Sequence, residues 1–236
     1  MTHLTLDTAA TQWAVDGKLA SAPHALTALA GGSSLLVLMH GLGSHEKDLI
    51  QLASFLPKEL VIASLRAPLK AAEVDATLGG WSWFPLSLQP GGVSPEQGAA
   101  EAVQAAQAVI DWVHQLKEQV GGIRQIAPMG FSQGGVMTTT MLRLAPGEFV
   151  CGVNCSGYIA PGEFMGDAAL KDLQTPLFWG RDLVDPAIGH AAVELTAAWA
   201  PQHTALEAHT YKGIGHSIGR TELSDIHLFL TRHFGF

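Results

Sequence analysis

Met129-Gly-Phe-Ser-Gln-Gly-Gly135 sets a serine among glycines, after an apolar run and ahead of a helical pattern. A strand that turns sharply into a helix at such a place lifts the serine hydroxyl clear of the sheet. The glycines matter because a side chain there would clash with the neighbouring strand or helix. Serine is nevertheless a weak nucleophile unless an imidazole takes its proton and a carboxylate holds that imidazole in the right tautomer. The pattern Gly-x-Ser-x-Gly also occurs at Ser217, in Gly215-His-Ser-Ile-Gly219, so the pattern alone does not choose between the two serines.

Chain order chooses. In α/β-hydrolases the acid and then the histidine follow the nucleophile on later strand ends, and too little chain remains after Ser217 for two such loops. Ser132 is therefore the expected nucleophile. Of eleven histidines, His216 stands in Tyr211-Lys-Gly-Ile-Gly-His216, a glycine-bracketed loop directly after the last expected strand, where a base belongs. His114, His227 and His233 fall in helical patterns, and His24, His190, His203 and His209 have no supporting context. The acid should lie in the loop over 181–188. Asp182 is nearer the strand end and could equally pair with Arg181, whereas Asp185 precedes Pro186 and opens the next helix; spacing leaves both open. His40-Gly-Leu-Gly-Ser44 ends the strongest apolar run. There the backbone N–H of Leu42, with that of Gln133 after the nucleophile, is placed to hold a developing alkoxide, roughly 3 to 4 kcal/mol per donor in comparable sites.

Elements of the right kind exist to position these groups. Short apolar runs at 35–39, 61–65, 124–129, 150–155 and 175–179 read as strands, with a late strand over 204–211. Between them lie helical patterns at 47–56, 95–119, 133–144, 188–199 and 221–233. In the longest, Val103, Ala106, Ile110, Val113 and Leu116 recur at spacings of three or four behind Ser94 as cap and Pro95 in the first turn. Apolar strands alternating with helices imply an α/β fold whose mostly parallel sheet is covered on both faces. The stretch over 67–92, rich in Gly, Pro and Trp, reads as a long functional loop. The whole of 1–236 reads as a single domain, with residues 1–30 adding a strand or hairpin at the sheet edge.

Composition limits the remaining options. Hydrophobic residues make up 47% of the chain and charged ones 14%, against about 25% charged in average domains, so a large core is affordable and disorder is excluded. A net charge of −8 has the wrong sign for neutralising phosphates, which argues against nucleic acid. No secretory leader or membrane-spanning run is visible, so the expected location is the cytoplasm, without stable membrane insertion. Cys151 and Cys155, four apart in one expected strand, lie too far apart for a disulfide and read as buried, inert thiols. No metal or cofactor is called for. The oligomeric state is left open, a homodimer included.

Six segments in order carry a family resemblance: His40-Gly-Leu-Gly-Ser44, Leu65-Arg-Ala-Pro68, Trp81-Ser-Trp-Phe84, Gly130-Phe-Ser-Gln-Gly-Gly135, Asp185-Pro-Ala-Ile188 and Tyr211 to His216. Together they resemble the carboxylesterase/phospholipase family that includes the acyl-protein thioesterases, from about Leu35 to the C-terminus. The resemblance implies an α/β-hydrolase fold without a large lid domain, and a serine esterase acting on short-to-medium acyl carboxylic esters. It implies Ser132 as nucleophile, His216 as base and the Leu42 and Gln133 amides as oxyanion donors. It also favours Asp185 as the acid, because Asp-Pro-x-Ile reproduces the family's motif; the family usually has its glycine closer and a closing proline where this chain has Gly189. Trp81, Trp83 and Phe84 fall where the family's loop lines the acyl pocket, though such aromatics could instead cap the core. Alternatives are a thioesterase or lysophospholipase with the same residues, or a non-catalytic hydrolase-fold binding protein. A dienelactone-type hydrolase would need cysteine at position 132.

Overall fold

A computed structural model describes residues 4–73, 75–86 and 95–236, the side chains of Pro95 and Glu96 excepted. The chain opens with a hairpin, β1 (Gln12–Val15) and β2 (Lys18–Ala20), turned at Asp16-Gly17, both with positive φ. Helix α1 (Ala22–Ala30) follows, then β3 (Ser34–Met39) and β4 (Leu60–Leu65). A small ladder of β5 (Leu69–Lys70) and β6 (Trp81–Ser82) precedes α2 (Pro95–Val120). The rest alternates: β7 (Ile126–Phe131), α3 (Gln133–Leu144), β8 (Gly152–Cys155), α4 (Asp167–Leu173), β9 (Pro176–Arg181), α5 (His190–His203), β10 (Ala205–Thr210) and α6 (Arg220–Phe234).

One eight-stranded sheet runs in the order β10-β9-β8-β7-β3-β4-β1-β2. The six strands from β10 to β4 are parallel, and the hairpin joins antiparallel to β4 through Gln12 to Ala14. The central strands are buried on both faces because their side chains alternate between two apolar layers. Leu35, Val37 and Met39 of β3 pack with Val109, Val113, Val136 and Met141 from α2 and α3. Leu36 and Leu38 pack on the opposite side with Ile226, Phe229 and Leu230 of α6.

Several expectations shift. Residues 49–55, expected as part of a helix over 47–56, form a 3₁₀ segment, whose tighter turn sinks Leu49, Ile50 and Ala53 within a short connection. Helix α5 begins at His190 rather than 188, because the Asp185 carboxylate accepts the amides of Ala187 and Ile188 and holds that stretch in a turn. Helix α1, capped by Ser21 on the His24 amide at 3.5 Å, and the seven-residue α4 were not expected. Of the long connection over 67–92, residues 74 and 87–92 lie outside the described residues, as does the cap read at Ser94. Both cysteines are free and buried, and burial pushes their thiols far above the ordinary range. No helix among the described residues is long and apolar enough to cross a membrane.

Candidate active site

Ser132 sits between β7 and α3 with φ 54° and ψ −116°, a left-handed conformation that costs a non-glycine residue about 1–3 kcal/mol. Its surroundings enforce it. The Ser132 amide donates to the Cys155 carbonyl at 2.8 Å, and the Gly135 amide donates to the Ser132 carbonyl at 2.9 Å. A Cβ on Gly130 would run into the carbonyl of Gly134, and one on Gly134 into that of Met39. The turn can close this tightly only with glycine at those places, which aims the Ser132 hydroxyl away from the sheet.

The hydroxyl meets an imidazole. His216 Nε2 lies 2.9 Å from Ser132 Oγ, and His216 Nδ1 lies 2.8 Å from Asp185 Oδ2. The Asp185 side chain is nearly fully buried and its other oxygen takes the Ala187 amide at 2.8 Å and the Ile188 amide at 3.2 Å. The carboxylate is thereby fixed on one edge of the ring, and the Phe131 ring packs against that ring at 4.8 Å. Asp182, the other candidate acid, is engaged elsewhere. It accepts the Gly215 amide at 2.7 Å and the Val184 amide at 3.1 Å, and these donors hold its carboxyl below the usual range. Asp182 thus splints the loop that carries His216. Ser217 is exposed to solvent in that loop.

The loop after β3 brings Leu42 beside Ser132, and among the described residues neither the Leu42 nor the Gln133 amide is taken up by a backbone acceptor. As the first residue of α3, Gln133 has no intrahelical partner to satisfy its N–H. Behind the Leu42 loop His40 is fully buried. It accepts the Ala67 amide on Nε2 at 3.2 Å, so Nδ1 carries the proton and donates to the Gly41 carbonyl at 2.8 Å. Burial pulls its pKa down to about 4 and keeps it neutral.

A cavity of about 610 Å³ opens from these groups. Leu42, Phe84, Val136, Ile159, Ile188 and Leu195 are among its walls, and no Asp, Glu, Lys or Arg side chain lines it among the described residues. Of the three aromatics read at 81–84, Phe84 is in the cavity wall. Trp81 and Trp83 are not among its lining residues. Trp83 is fully buried, its Nε1 donates to the His40 carbonyl at 2.9 Å, and its ring packs on His40. Trp81 carries the Arg66 guanidinium over its ring at 4.8 Å. Both brace the Leu42 loop, Trp83 through the His40 carbonyl and Trp81 through its backbone, which accepts the Gly43 amide and donates to the Ser44 carbonyl, each at 2.9 Å.

Two supports were not foreseen. The Gln133 side chain is buried and ties down the strand-end segment at Phe84, donating to the Phe84 carbonyl at 2.7 Å and accepting the Trp83 amide at 2.8 Å. Arg143, the charged residue of α3, is fully buried. It donates to the Ala160 and Gly162 carbonyls, each at 2.6 Å, and forms a two-pronged pair with Asp167 at 2.7 and 2.8 Å. Ala160 and Pro161 line the cavity, so Arg143 sets the course of that wall. Breaking such a buried pair leaves its partner and two carbonyls unmatched, and Arg143→Met is expected to cost about 3 kcal/mol in urea unfolding. A loss below about 1 kcal/mol would mean that the other anchors of the wall suffice.

Comparison with known proteins agrees with this architecture. The phospholipase/carboxylesterase family model matches residues 31–234. A relative from Arabidopsis thaliana named probable carboxylesterase SOBER1-like is 26% identical over 208 residues, 84% of this chain and 78% of its own. Among solved structures, esterase PE8 superposes with a TM-score of 0.69 at 24% identity, over 86% of this chain and 94% of its own. A Bacillus cereus carboxylesterase superposes at 0.69 with 17% identity, over 86% and 89%. The match spans both the elbow and the base loop, and the chain belongs to the phospholipase/carboxylesterase family of α/β-hydrolases.

Proposed function

We propose that the protein is a serine carboxylesterase that hydrolyses short-to-medium acyl esters of small molecules in the cytoplasm. The observation that carries this reading is the hydrogen-bonded line Asp185, His216, Ser132 ending at the mouth of a largely apolar cavity. Ser132 Oγ attacks the ester carbonyl while His216 Nε2 takes its proton; Asp185 holds the ring with Nδ1 protonated and balances the imidazolium. The oxyanion of the tetrahedral intermediate is held by the Leu42 and Gln133 amides. The intermediate collapses as His216 returns the proton to the departing alcohol, and water then clears the acyl-enzyme by the same route. Phe84 and the apolar walls receive the acyl chain, since among the described residues no Asp, Glu, Lys or Arg stands there to recognise an ionic one.

A fluorophosphonate probe and a panel of matched oxyesters and thioesters test this. The expected result is label on Ser132 alone and faster turnover of oxyesters. Label on Ser217, or none, would sink the assignment, and a preference for thioesters would move the substrate class.

A further inference from the structure

Beneath the base loop lies a carboxyl group that the proposed reaction does not use. Glu222, in the first turn of α6, is fully buried. Among the described residues the other acid side chains as deeply placed have partners: Glu46 is paired with Arg66, and Asp182 accepts backbone amides. Among the described residues no Lys or Arg is paired with Glu222. Its Oε2 accepts the Gly219 amide at 3.3 Å, three residues beyond His216, while Oε1 has no conventional hydrogen-bond partner. The carboxyl faces the Cys155 thiol, and Cys155 is the residue whose carbonyl holds the Ser132 amide. It also rests on Gly180, where any side chain would occupy its space, and Gly180 leads into the Asp182–Asp185 loop.

We infer that Glu222 is a positioning residue for His216: its carboxyl joins the base loop to the strand ends that carry the nucleophile and the acid. The inference rests on the esterase reading. Burial pushes the Glu222 carboxyl up to about 7. The titratable groups that face it are Cys155 on β8, His209 and Tyr211 on β10 and Asp225 one turn along α6. Asp225 is itself held by the Tyr211 hydroxyl at 2.7 Å. Asp225 raises the Glu222 pKa, whereas the Gly219 amide, the Cys155 thiol and His209 lower it. Below neutrality the carboxyl keeps its proton and the contacts stand. Above it, an unpaired charge appears beside Asp225 in a buried place. The Gly219 amide favours that charge, but burial and Asp225 oppose it more strongly, so the carboxyl is driven from its seat on the strand ends and draws the base loop with it. The sign is that of a group which must be protonated: activity falls as pH rises through the Glu222 value, whereas an imidazole base alone gives a plateau there.

The test is the pH profile of kcat for p-nitrophenyl butyrate between about pH 5.5 and 9, corrected for spontaneous hydrolysis, with fluorophosphonate labelling of Ser132 near pH 6 as a separate check on the esterase reading. In the unaltered protein kcat is expected to fall about tenfold or more across an alkaline limb starting near neutrality. Glu222→Gln, which cannot ionise, should retain acid-side turnover and remove the limb, and Glu222→Ala should lower kcat about tenfold on the acid side, with no alkaline limb and with KM little changed. If neither variant folds, Asp225→Asn serves: removing that charge lets Glu222 ionise more readily, so the limb should move to lower pH. An unaltered protein with no alkaline limb, a limb that persists unmoved in Glu222→Gln or Asp225→Asn, or full activity in Glu222→Ala, would overturn the inference. Loss of Ser132 labelling near pH 6 would instead point at the esterase reading itself.

Discussion

Ser132→Ala is expected to lower kcat for a p-nitrophenyl ester by about 10⁶-fold while leaving KM within a few fold. No other hydroxyl can take over: Ser217 is on the exposed side of the base loop, and His216 Nε2 has its hydrogen bond to Ser132 Oγ alone among the described side chains. What remains should be the part that the oxyanion donors and binding supply to attack by water, about 10³-fold over the uncatalysed reaction. The variant should fold, because alanine at position 132 is no more strained than serine. Turnover within about tenfold of the unaltered protein would remove Ser132 from the chemistry.

Asp185→Asn carries the second-largest expected effect, a loss of about 10⁴-fold in kcat. Its Oδ2 is the partner of His216 Nδ1 at 2.8 Å. An asparagine there can turn its amide toward the ring, which favours the tautomer with the proton on Nε2 and deprives Ser132 of its base. Oδ1 already accepts the Ala187 and Ile188 amides, an arrangement that keeps the asparagine oxygen on the backbone and its nitrogen on the ring. Asp182→Asn is the control. It disturbs the splint to Gly215 but leaves the imidazole its partner, so the loss should be about tenfold. Parallel kcat measurements decide, and a reversal of the two losses would make Asp182 the acid.

Much of this arrangement was legible in the chain itself. The elbow shows in the sequence because its turn admits only glycine at Gly130 and Gly134, and the alternating apolar runs show because a sheet covered on both faces needs them. Helices α1 and α4 escaped because each is short and gains its helical state from packing of Ala25, Leu29 and Leu170 rather than from a long periodic stretch. The two loop aspartates could not be separated by spacing: which one reaches His216 depends on how residues 181–189 coil in three dimensions. Trp81 and Trp83 misled for a related reason. A large aromatic signals burial, but only the partner of its N–H, here the His40 carbonyl for Trp83, shows which side of a loop it braces. Arg143 gave one legible sign, a charge among apolar and hydroxyl residues, whereas Glu222, flanked by Arg220, Thr221, Ser224 and Asp225, gave none.

Ser132 is held with φ 54°, where glycine would rest without strain. A chain selected for thermal endurance alone would therefore replace the very residue proposed to react, and would fill the place of Glu222 with an apolar side chain. At both places endurance and turnover pull apart, so a variant made more heat-resistant by changing either is expected to be the slower enzyme.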